Sequence, residues 1–258
     1  MADDAVQRES MEYDLVIVGG GPAGLSAAIR AKQLAQEAGE DIEVVVIEKG
    51  GEIGAHILSG VVMDPVGLDK LIPGWRERDD RPLKTEVTGD KFKFLGPKGE
   101  ADISWLPMPG FMKNHGNYTG SLANVARWLG QEAENMGVEI FPGFAASDLV
   151  LGENGEVKGI VAGVMGIAAD GTHKPDYEPG MELLGKYVLF AEGARGSLTK
   201  QLIAKYNLDE GRDPQKFGLG LKELWSIPEE QFNEGYVQHT MGWPLDNSTG
   251  GGSLLYHF

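Results

Sequence analysis

Tyr13-Asp14-Leu15-Val16-Ile17-Val18, running directly into Gly19-Gly20-Gly21-Pro22-Ala23-Gly24, is the stretch that decides the fold. The apolar run reads as a buried parallel strand. The glycines that follow fall at GxGxxG spacing, at Gly19, Gly21 and Gly24. Each has a physical task in a dinucleotide-binding turn. The first permits the tight strand-to-helix turn, the second lets backbone approach a pyrophosphate, and the third lets the helix pack closely on the strand. The free N–H groups and dipole at the start of that helix would then favour the negative charge. The fingerprint alone is a weak signal, because an ordinary βαβ unit can carry a glycine-rich turn. Here it has its context. Residues 22–38 have helical spacing, and residues 42–48 form a second β-branched run ending in Glu48, placed to accept hydrogen bonds from ribose hydroxyls.

NAD and FAD folds share this fingerprint, so the position of Glu48, 29 residues beyond Gly19, does not separate them. Two features favour FAD. Glu48-Lys49-Gly50 enters a glycine-rich loop rather than another regular βα unit. Further on, the strand at 186–190 ends in Ala191-Glu192-Gly193-Ala194, whose small residues would let backbone reach the same dinucleotide from another side. A simple strand-to-helix turn is the competing reading of that second motif.

Outward from this unit, a short helical piece is predicted near Val66–Ile72 and a hairpin within 85–105 around Gly96-Pro97-Lys98-Gly99. A helix is predicted over 119–136, stopping at Gly137, followed by a strand at 138–141. Residues 147–190 read as a β-meander with turns at Asn154-Gly155 and Asp170-Gly171. Residues 197–206 read as helix, and 217–258 as strand and loop. The apparent strand at Tyr256-His257-Phe258 has no closing signal, so the natural polypeptide is expected to continue.

Composition excludes several functions. With 39 acidic and 23 basic residues the net charge is -16, which nucleic acid phosphates would repel. There are no cysteines, so thiol nucleophiles, disulfides and Cys-ligated metals cannot form within this chain. The five histidines lack metal-binding spacing. No run approaches the roughly 18–20 apolar residues that span a bilayer. Met1–Ser10 has no apolar core and reads as a disordered lead-in rather than a targeting signal.

With these motifs placed, the chain resembles the flavoprotein monooxygenase-like FAD enzymes and, among them, the electron-transfer flavoprotein:ubiquinone oxidoreductase family. The stretches that carry the resemblance are Ile53-Gly-Ala-His-Ile-Leu-Ser-Gly60 with Met63-Asp-Pro65, Asn114-His-Gly-Asn-Tyr118 and Val125-Ala-Arg-Trp-Leu-Gly130. They continue with Gly218-Leu-Gly-Leu-Lys-Glu-Leu-Trp225, His239-Thr-Met-Gly-Trp-Pro-Leu-Asp246 and Gly251-Gly-Ser-Leu-Leu-Tyr-His257. They occur in family order from Tyr13 onward and match about the first half of such an enzyme.

The resemblance implies an α/β fold, an FAD/NAD(P)-binding Rossmann-like domain with an inserted mixed α+β quinone or substrate domain. The FAD domain is expected over 11–84 and 114–210, and the β-rich domain over 85–113 and 211–258. It implies FAD as cofactor, with a [4Fe-4S] cluster only in a C-terminal part that this chain lacks. The implied partners are electron-transfer flavoprotein, ubiquinone and a membrane surface bound from one side. The implied location is the cytoplasmic face of a bacterial inner membrane, or the matrix side of the mitochondrial inner membrane in a eukaryote. Carried over by residue, Gly19, Gly21 and Gly24 would hold the pyrophosphate and Glu48 the ribose. Ser59 and Gly60 would lie near the isoalloxazine, and Arg127 near the flavin's phosphate or ribityl region. Gly193 and Ala194 would close over the dinucleotide, and Gly251 and Gly252 would line the ubiquinone pocket. Unaided, the last pair reads as a bulge or bend in a strand.

Catalysis of this kind needs position, electrostatics and water exclusion rather than an acid–base pair. His257 and His56 are candidates to relay protons to a quinone, weighed against structural roles. Two apolar stretches, Val61–Trp75 and Leu106–Met112, could dip into a bilayer interface with Trp75 and Trp105 as anchors, the first preferred. Competing readings are a FixC-like or geranylgeranyl-reductase-like flavoprotein, a truncated fragment without activity, and a NAD-dependent dehydrogenase.

Overall fold

The apolar run at 13–18 lies inside a six-stranded sheet in a computed structural model of the protein, in which residues 7–58, 60–246 and 248–258 are described. The elements in chain order begin with β1 (Glu9–Val18), α1 (Pro22–Ala38), β2 (Val44–Glu48), β3 (Val61–Met63), α2 (Val66–Leu71), β4 (Thr85–Glu86), β5 (Gly89–Gly96), β6 (Gly99–Asp102), β7 (Tyr118–Gly120) and α3 (Leu122–Asn135). They continue with β8 (Glu139–Pro142), β9 (Ala146–Leu151), β10 (Val157–Ala162), β11 (Met165–Ile167), β12 (His173–Glu178), β13 (Met181–Phe190), α4 (Ser197–Tyr206), β14 (Tyr236–Gly242) and β15 (Ser253–Tyr256). The chain divides into two compact units, Met1–Ile57 with Val125–Gly220 and Leu58–Asn124 with Leu221–Phe258.

In the first unit the strand order is β8-β2-β1-β13-β10-β9. The first four run parallel, and β10 and β9 add an antiparallel edge. Parallel strands covered on both faces should be apolar throughout. Val16, Ile17, Val45 and Val46 are fully buried accordingly. Helix α1 makes the crossover from β1 to β2 and buries Leu25, Ala28 and Ile29. It ends on Gly39 in the left-handed conformation, whose N–H caps the last turn. The predicted turns at Asn154-Gly155 and Asp170-Gly171 join β9 to β10 and β11 to β12.

The second unit holds two smaller sheets, β15-β14-β5-β6 and β3-β7-β4. The predicted Gly96–Gly99 hairpin closes β5 onto β6. The core of the unit is organised around Trp75, which is 0% exposed. Its ring meets Tyr118 edge-on at 5.4 Å, and its Nε1 donates to Asp69 Oδ1 at 2.8 Å. The Arg76 guanidinium pairs with the same carboxylate and lies over the Trp75 ring at 4.9 Å. The Tyr118 hydroxyl donates to Glu86 at 2.7 Å.

Three expectations are corrected. The lead-in is shorter than ten residues: Glu9 and Ser10 pair with Met181 and Glu182, because β13 extends far enough to offer them a partner. Met1–Val6 lies outside the described residues. The predicted helix at 119 begins at Leu122, since Tyr118–Gly120 is the middle strand of a sheet and the Ser121 hydroxyl accepts the Asn124 N–H at 3.4 Å as an N-cap. The compact units are bounded differently from the expected domains, without bearing on where a domain begins or ends in sequence. Residues 58–84 and 114–124 belong to the second unit because β3, β4 and β7 pair with one another, and 211–220 belongs to the first. Finally, Trp75 and Leu68 are core residues, so Val61–Trp75 does not offer Trp75 as an interface anchor.

Candidate functional site

In the first unit, the carboxyl ends of β2, β1 and β13 lie side by side, and each delivers one predicted site residue. Gly19 follows β1, Glu48 ends β2, and Gly193 lies just past β13. β1 is reached from β2 on one side and β13 on the other, which is where open α/β sheets form a ligand crevice. The strand ends are knit together: the Gly19 N–H donates to the Ile47 carbonyl and the Ala191 N–H to the Val18 carbonyl, both at 2.8 Å.

Each glycine of the fingerprint has a distinct environment. Gly19 has φ of +112°, and a Cβ there would run into the Ala191 carbonyl. A Cβ on Gly24 would strike the Gly19 carbonyl and sit 3.1 Å from Ile17 Cγ2, so the helix could not pack this closely on its strand. Gly21 differs: nothing lies within 4 Å of a Cβ built on it. Gly21 is the N-cap of α1, without a side-chain cap, and Pro22 follows it. The helix therefore presents uncapped N–H groups to an open cradle, the arrangement that suits a phosphate.

Glu48 has both carboxylate oxygens engaged. Oε2 accepts from the Gly20 N–H at 2.9 Å and Oε1 from the Gly50 N–H at 2.7 Å, with His56 Nδ1 3.7 Å from Oε1. The residue thus staples the glycine turn to the end of β2. An ionised carboxylate has about four acceptor sites, which leaves capacity for ribose hydroxyls. The spacing of residues did not reveal this second duty. Beyond β13, Gly193 has φ of +76° in a single 3-10 turn with open space above it, and the Ala194 carbonyl accepts from Gln215 at 3.2 Å. Sequence reasoning passed over Glu192. Its carboxylate accepts from the Leu198 and Thr199 N–H groups at 3.3 and 2.7 Å and from the Thr199 hydroxyl at 2.7 Å, capping α4. An acidic residue just ahead of Ser197-Leu198-Thr199 at a helix start was the available signal. Arg127, on α3, donates to Glu52 Oε1 at 3.2 Å on the loop that follows Glu48.

The remaining predicted residues are in the second unit. Ser59 lies outside the described residues. Gly60 has φ of +91°, its carbonyl accepts from Lys222 Nζ at 2.8 Å, and the Tyr256 hydroxyl fills the place a Cβ would take. Gly251 and Gly252 precede β15. A Cβ on Gly252 would meet the Thr240 carbonyl of β14, so the fold itself requires that glycine. Register puts Leu254, His239 and Phe92 across from one another, with Met241 beside Phe94 on the same face two residues on. Leu254, Met241 and Phe94 are about half exposed, whereas Phe92 and Val237 are buried. The face therefore has a buried end and a wet apolar end, and the wet end adjoins Gly251-Gly252.

Among the histidines, His239 is the one built into a polar network. Asn114 Nδ2 contacts His239 Nε2 at 2.9 Å and donates to Asp90 Oδ1 at 3.1 Å, while the His239 ring stacks on Phe92 at 4.6 Å. His257 has a structural engagement: its Nδ1 accepts the Asn233 N–H at 2.9 Å and its ring stacks with Phe232. Trp105 and Phe111 stand on the loop between β6 and β7, 79% and 90% exposed. Among the described residues no helix is long and apolar enough to cross a membrane, and no cluster of metal-ligating side chains is found.

Residues 17–84 match the family described as an NAD(P)-binding Rossmann-like domain, and 217–258 match the family described as ETF-QO, ubiquinone-binding. The chain is 53% identical, over 98% of its length, to an electron transfer flavoprotein-ubiquinone oxidoreductase of Pseudomonas aeruginosa, of which it covers 46%. The mitochondrial protein of the same name from Mus musculus is 49% identical over 98% of this chain and is covered to 41%. Among solved structures, a geranylgeranyl bacteriochlorophyll reductase-like protein from Thermoplasma acidophilum superposes with a TM-score of 0.54 over 91% of this chain and 51% of that one. At 18% identity that likeness speaks to the fold alone. Over nearly all of its own length, then, the chain is a sequence relative of the electron transfer flavoprotein-ubiquinone oxidoreductases, and it spans a little under half the length of those proteins.

Proposed function

We propose that this chain carries the FAD site and the ubiquinone-side sheet of an enzyme that takes electrons from reduced electron-transfer flavoprotein and passes them to ubiquinone. The observation that carries the proposal is the meeting of Gly19, Gly21, Glu48 and Gly193 at three adjacent parallel strand ends. In this reading the pyrophosphate rests on the uncapped start of α1, in the space left open at Gly21, and Gly24 keeps that helix end against β1. Glu48 accepts the ribose hydroxyls while still holding Gly20 and Gly50. Gly193 and Ala194 close the crevice from the β13 side, the approach that favours FAD over NAD. Arg127 exchanges Glu52 for the phosphate or ribityl oxygens. By resemblance alone, Ser59 and Gly60 belong to the isoalloxazine side.

When bound, the flavin supplies reversible uptake and release of electrons. The protein's part is to fix its phosphates, exclude water and offer an apolar seat for the acceptor. Gly251-Gly252 and the wet end of the sheet face, with Met241, Phe94 and Leu254, are the residues we assign to the quinone ring. The chain has no cysteine, so nothing in it fits a Cys-ligated [4Fe-4S] cluster, and that group belongs to sequence outside this chain. Trp105 and Phe111 supply the contact with a membrane surface in a protein bound from one side, on the cytoplasmic or matrix face.

The test is to purify the chain with added FAD, desalt it and record its visible spectrum. A retained, protein-perturbed flavin band that disappears in Glu48→Ala is the expected result. Loss of flavin by the unsubstituted chain, with NADH retained instead, would overturn the cofactor assignment.

A further inference from the structure

Residues 213–227 lead from the first unit into the second, and they lie in no helix or strand. All of them are among the described residues, and none donates or accepts a backbone–backbone hydrogen bond. Yet the stretch is rich in large apolar side chains, with Leu219 97% and Leu221 94% exposed and Leu224 and Trp225 about three-quarters exposed. Its sequence has the period of a strand. Phe217, Leu219 and Leu221 fall on one side, and Gly218, Gly220 and Lys222 on the other. A Cβ on Gly218 or Gly220 would meet nothing within 4 Å, so that side is open as well. Among the described residues side chains tether the stretch: Gln215 to the Ala194 carbonyl, Lys222 to the Gly60 carbonyl, and Phe217 under the Arg195 guanidinium at 5.5 Å.

Contiguous exposed leucines are costly in water, and a backbone without a ladder partner beside them can template pairing with another extended segment. We propose that residues 217–225 are a β-strand lacking its neighbour, and that the neighbour is an extended apolar strand from the part of the polypeptide that the relatives have and this chain does not span. Three observations favour that occupant. More than half of the Pseudomonas relative lies outside the match, so the length is there. The ubiquinone-binding family match begins at residue 217, which makes this stretch the first element of that match rather than a linker. The two-sided pattern specifies the partner's chemistry: apolar side chains to cover Phe217, Leu219 and Leu221, and a close backbone approach over Gly218 and Gly220. The inference rests on geometry and does not depend on the electron-transfer reading.

Hydrogen exchange read by mass spectrometry on peptides covering 217–227 tests it. In the 258-residue chain alone these amides should exchange at the rate of an unstructured peptide. In a fusion that appends the unmatched remainder of the Pseudomonas relative, they should slow about 100-fold or more. Leu221→Pro, which removes a donor and fixes the backbone, should abolish that slowing while the amides of β1 and β13 stay protected. No slowing in a fusion whose β1 amides are protected would overturn the proposal. So would protection in the chain alone, whether independent of concentration, from internal pairing, or rising with it, from a second copy. Slowing only on added lipid vesicles would assign the stretch to a membrane and overturn it too.

Discussion

At their candidate sites the two units treat apolar surface in opposite ways. The first buries it: the valines and isoleucines of β1 and β2 are sealed between α1 and the rest of their layer, and its functional end is made of backbone and one carboxylate. The second keeps apolar side chains in water, at Phe94, Met241 and Leu254 on its sheet and at Trp105 and Phe111 on its loop. A dinucleotide is held by backbone N–H groups, so its site needs absence of side chains. A quinone or a membrane is met by side chains, so those sites need apolar groups left uncovered. The comparison says which substitutions should cost stability and which should cost only binding.

The largest expected effect is at Trp75, in the closed core of the second unit. Trp75→Ala removes a buried indole, its contact with Tyr118 and its hydrogen bond to Asp69. The loss should be about 3–5 kcal/mol. Urea unfolding followed by exchange at β14 and β1 separately should find the second unit opening first. A loss below about 1 kcal/mol would mean that Trp75 is not the centre of that core.

The next effect separates two glycines of one motif. Gly19→Ala puts a side chain at φ of +112° against the Ala191 carbonyl, and should destabilise the chain by about 1–3 kcal/mol. Gly21→Ala meets no atom and has ordinary backbone angles, so its cost should stay within about 1 kcal/mol, that of a poorer N-cap. Its retention of FAD should nevertheless fall at least tenfold, because the new methyl group occupies the proposed pyrophosphate seat. Equal thermal stability of the two variants would break the distinction between structural and ligand-facing glycine.

This distinction also explains how much could be read from sequence. The GxGxxG spacing, the β-branched runs on either side and Glu48 define a local unit whose geometry hardly depends on the rest of the chain. The turns at Asn154-Gly155 and Asp170-Gly171 were legible for the same reason, since each rests on two adjacent residues. What could not be read depended on distant partners. Glu9 and Ser10 look like a polar lead-in until Met181 and Glu182 are brought alongside. Thr119 and Gly120 continue a helical pattern until β3 and β4 claim them for a sheet. Trp75 sits in an amphipathic stretch that suits an interface, and only the Asp69, Arg76 and Tyr118 around it make it core. The network of Asp90, Asn114 and His239 spans three separate segments, so no local spacing could announce it.

A smaller effect should appear with pH. The Arg76 guanidinium, and after it the Trp75 N–H, hold the Asp69 carboxyl below the usual carboxylate range. A carboxyl depressed in the folded state adds stability that is fully present above its unfolded value of about 4 and is lost as pH falls through the folded one. The second unit should therefore weaken below about pH 4, while Asp69→Asn should be less stable at neutral pH and flatter over that acid range. Asp69 is about a third exposed, so solvent screening limits the ion-pair part to about 1 kcal/mol or less. An unchanged acid limb in Asp69→Asn would show that another carboxylate sets it.

The smallest effect on folding should come on the exposed loop between β6 and β7. Trp105→Ser with Phe111→Ser removes two side chains that are almost wholly in water, so stability should stay within about 0.5 kcal/mol of the parent. If that loop meets a bilayer, sedimentation with phospholipid vesicles should drop several-fold, since a tryptophan and a phenylalanine are the groups that anchor an interfacial segment. The pair Gly21→Ala and Trp105→Ser/Phe111→Ser then sharpens the contrast between the units. The first should lose flavin and keep vesicles, the second should lose vesicles and keep flavin, and neither should unfold. Vesicle binding untouched by the double change would move the membrane contact off this loop. The wet end of the β14–β5 face, with Met241 and Phe94, would then be the next surface to change.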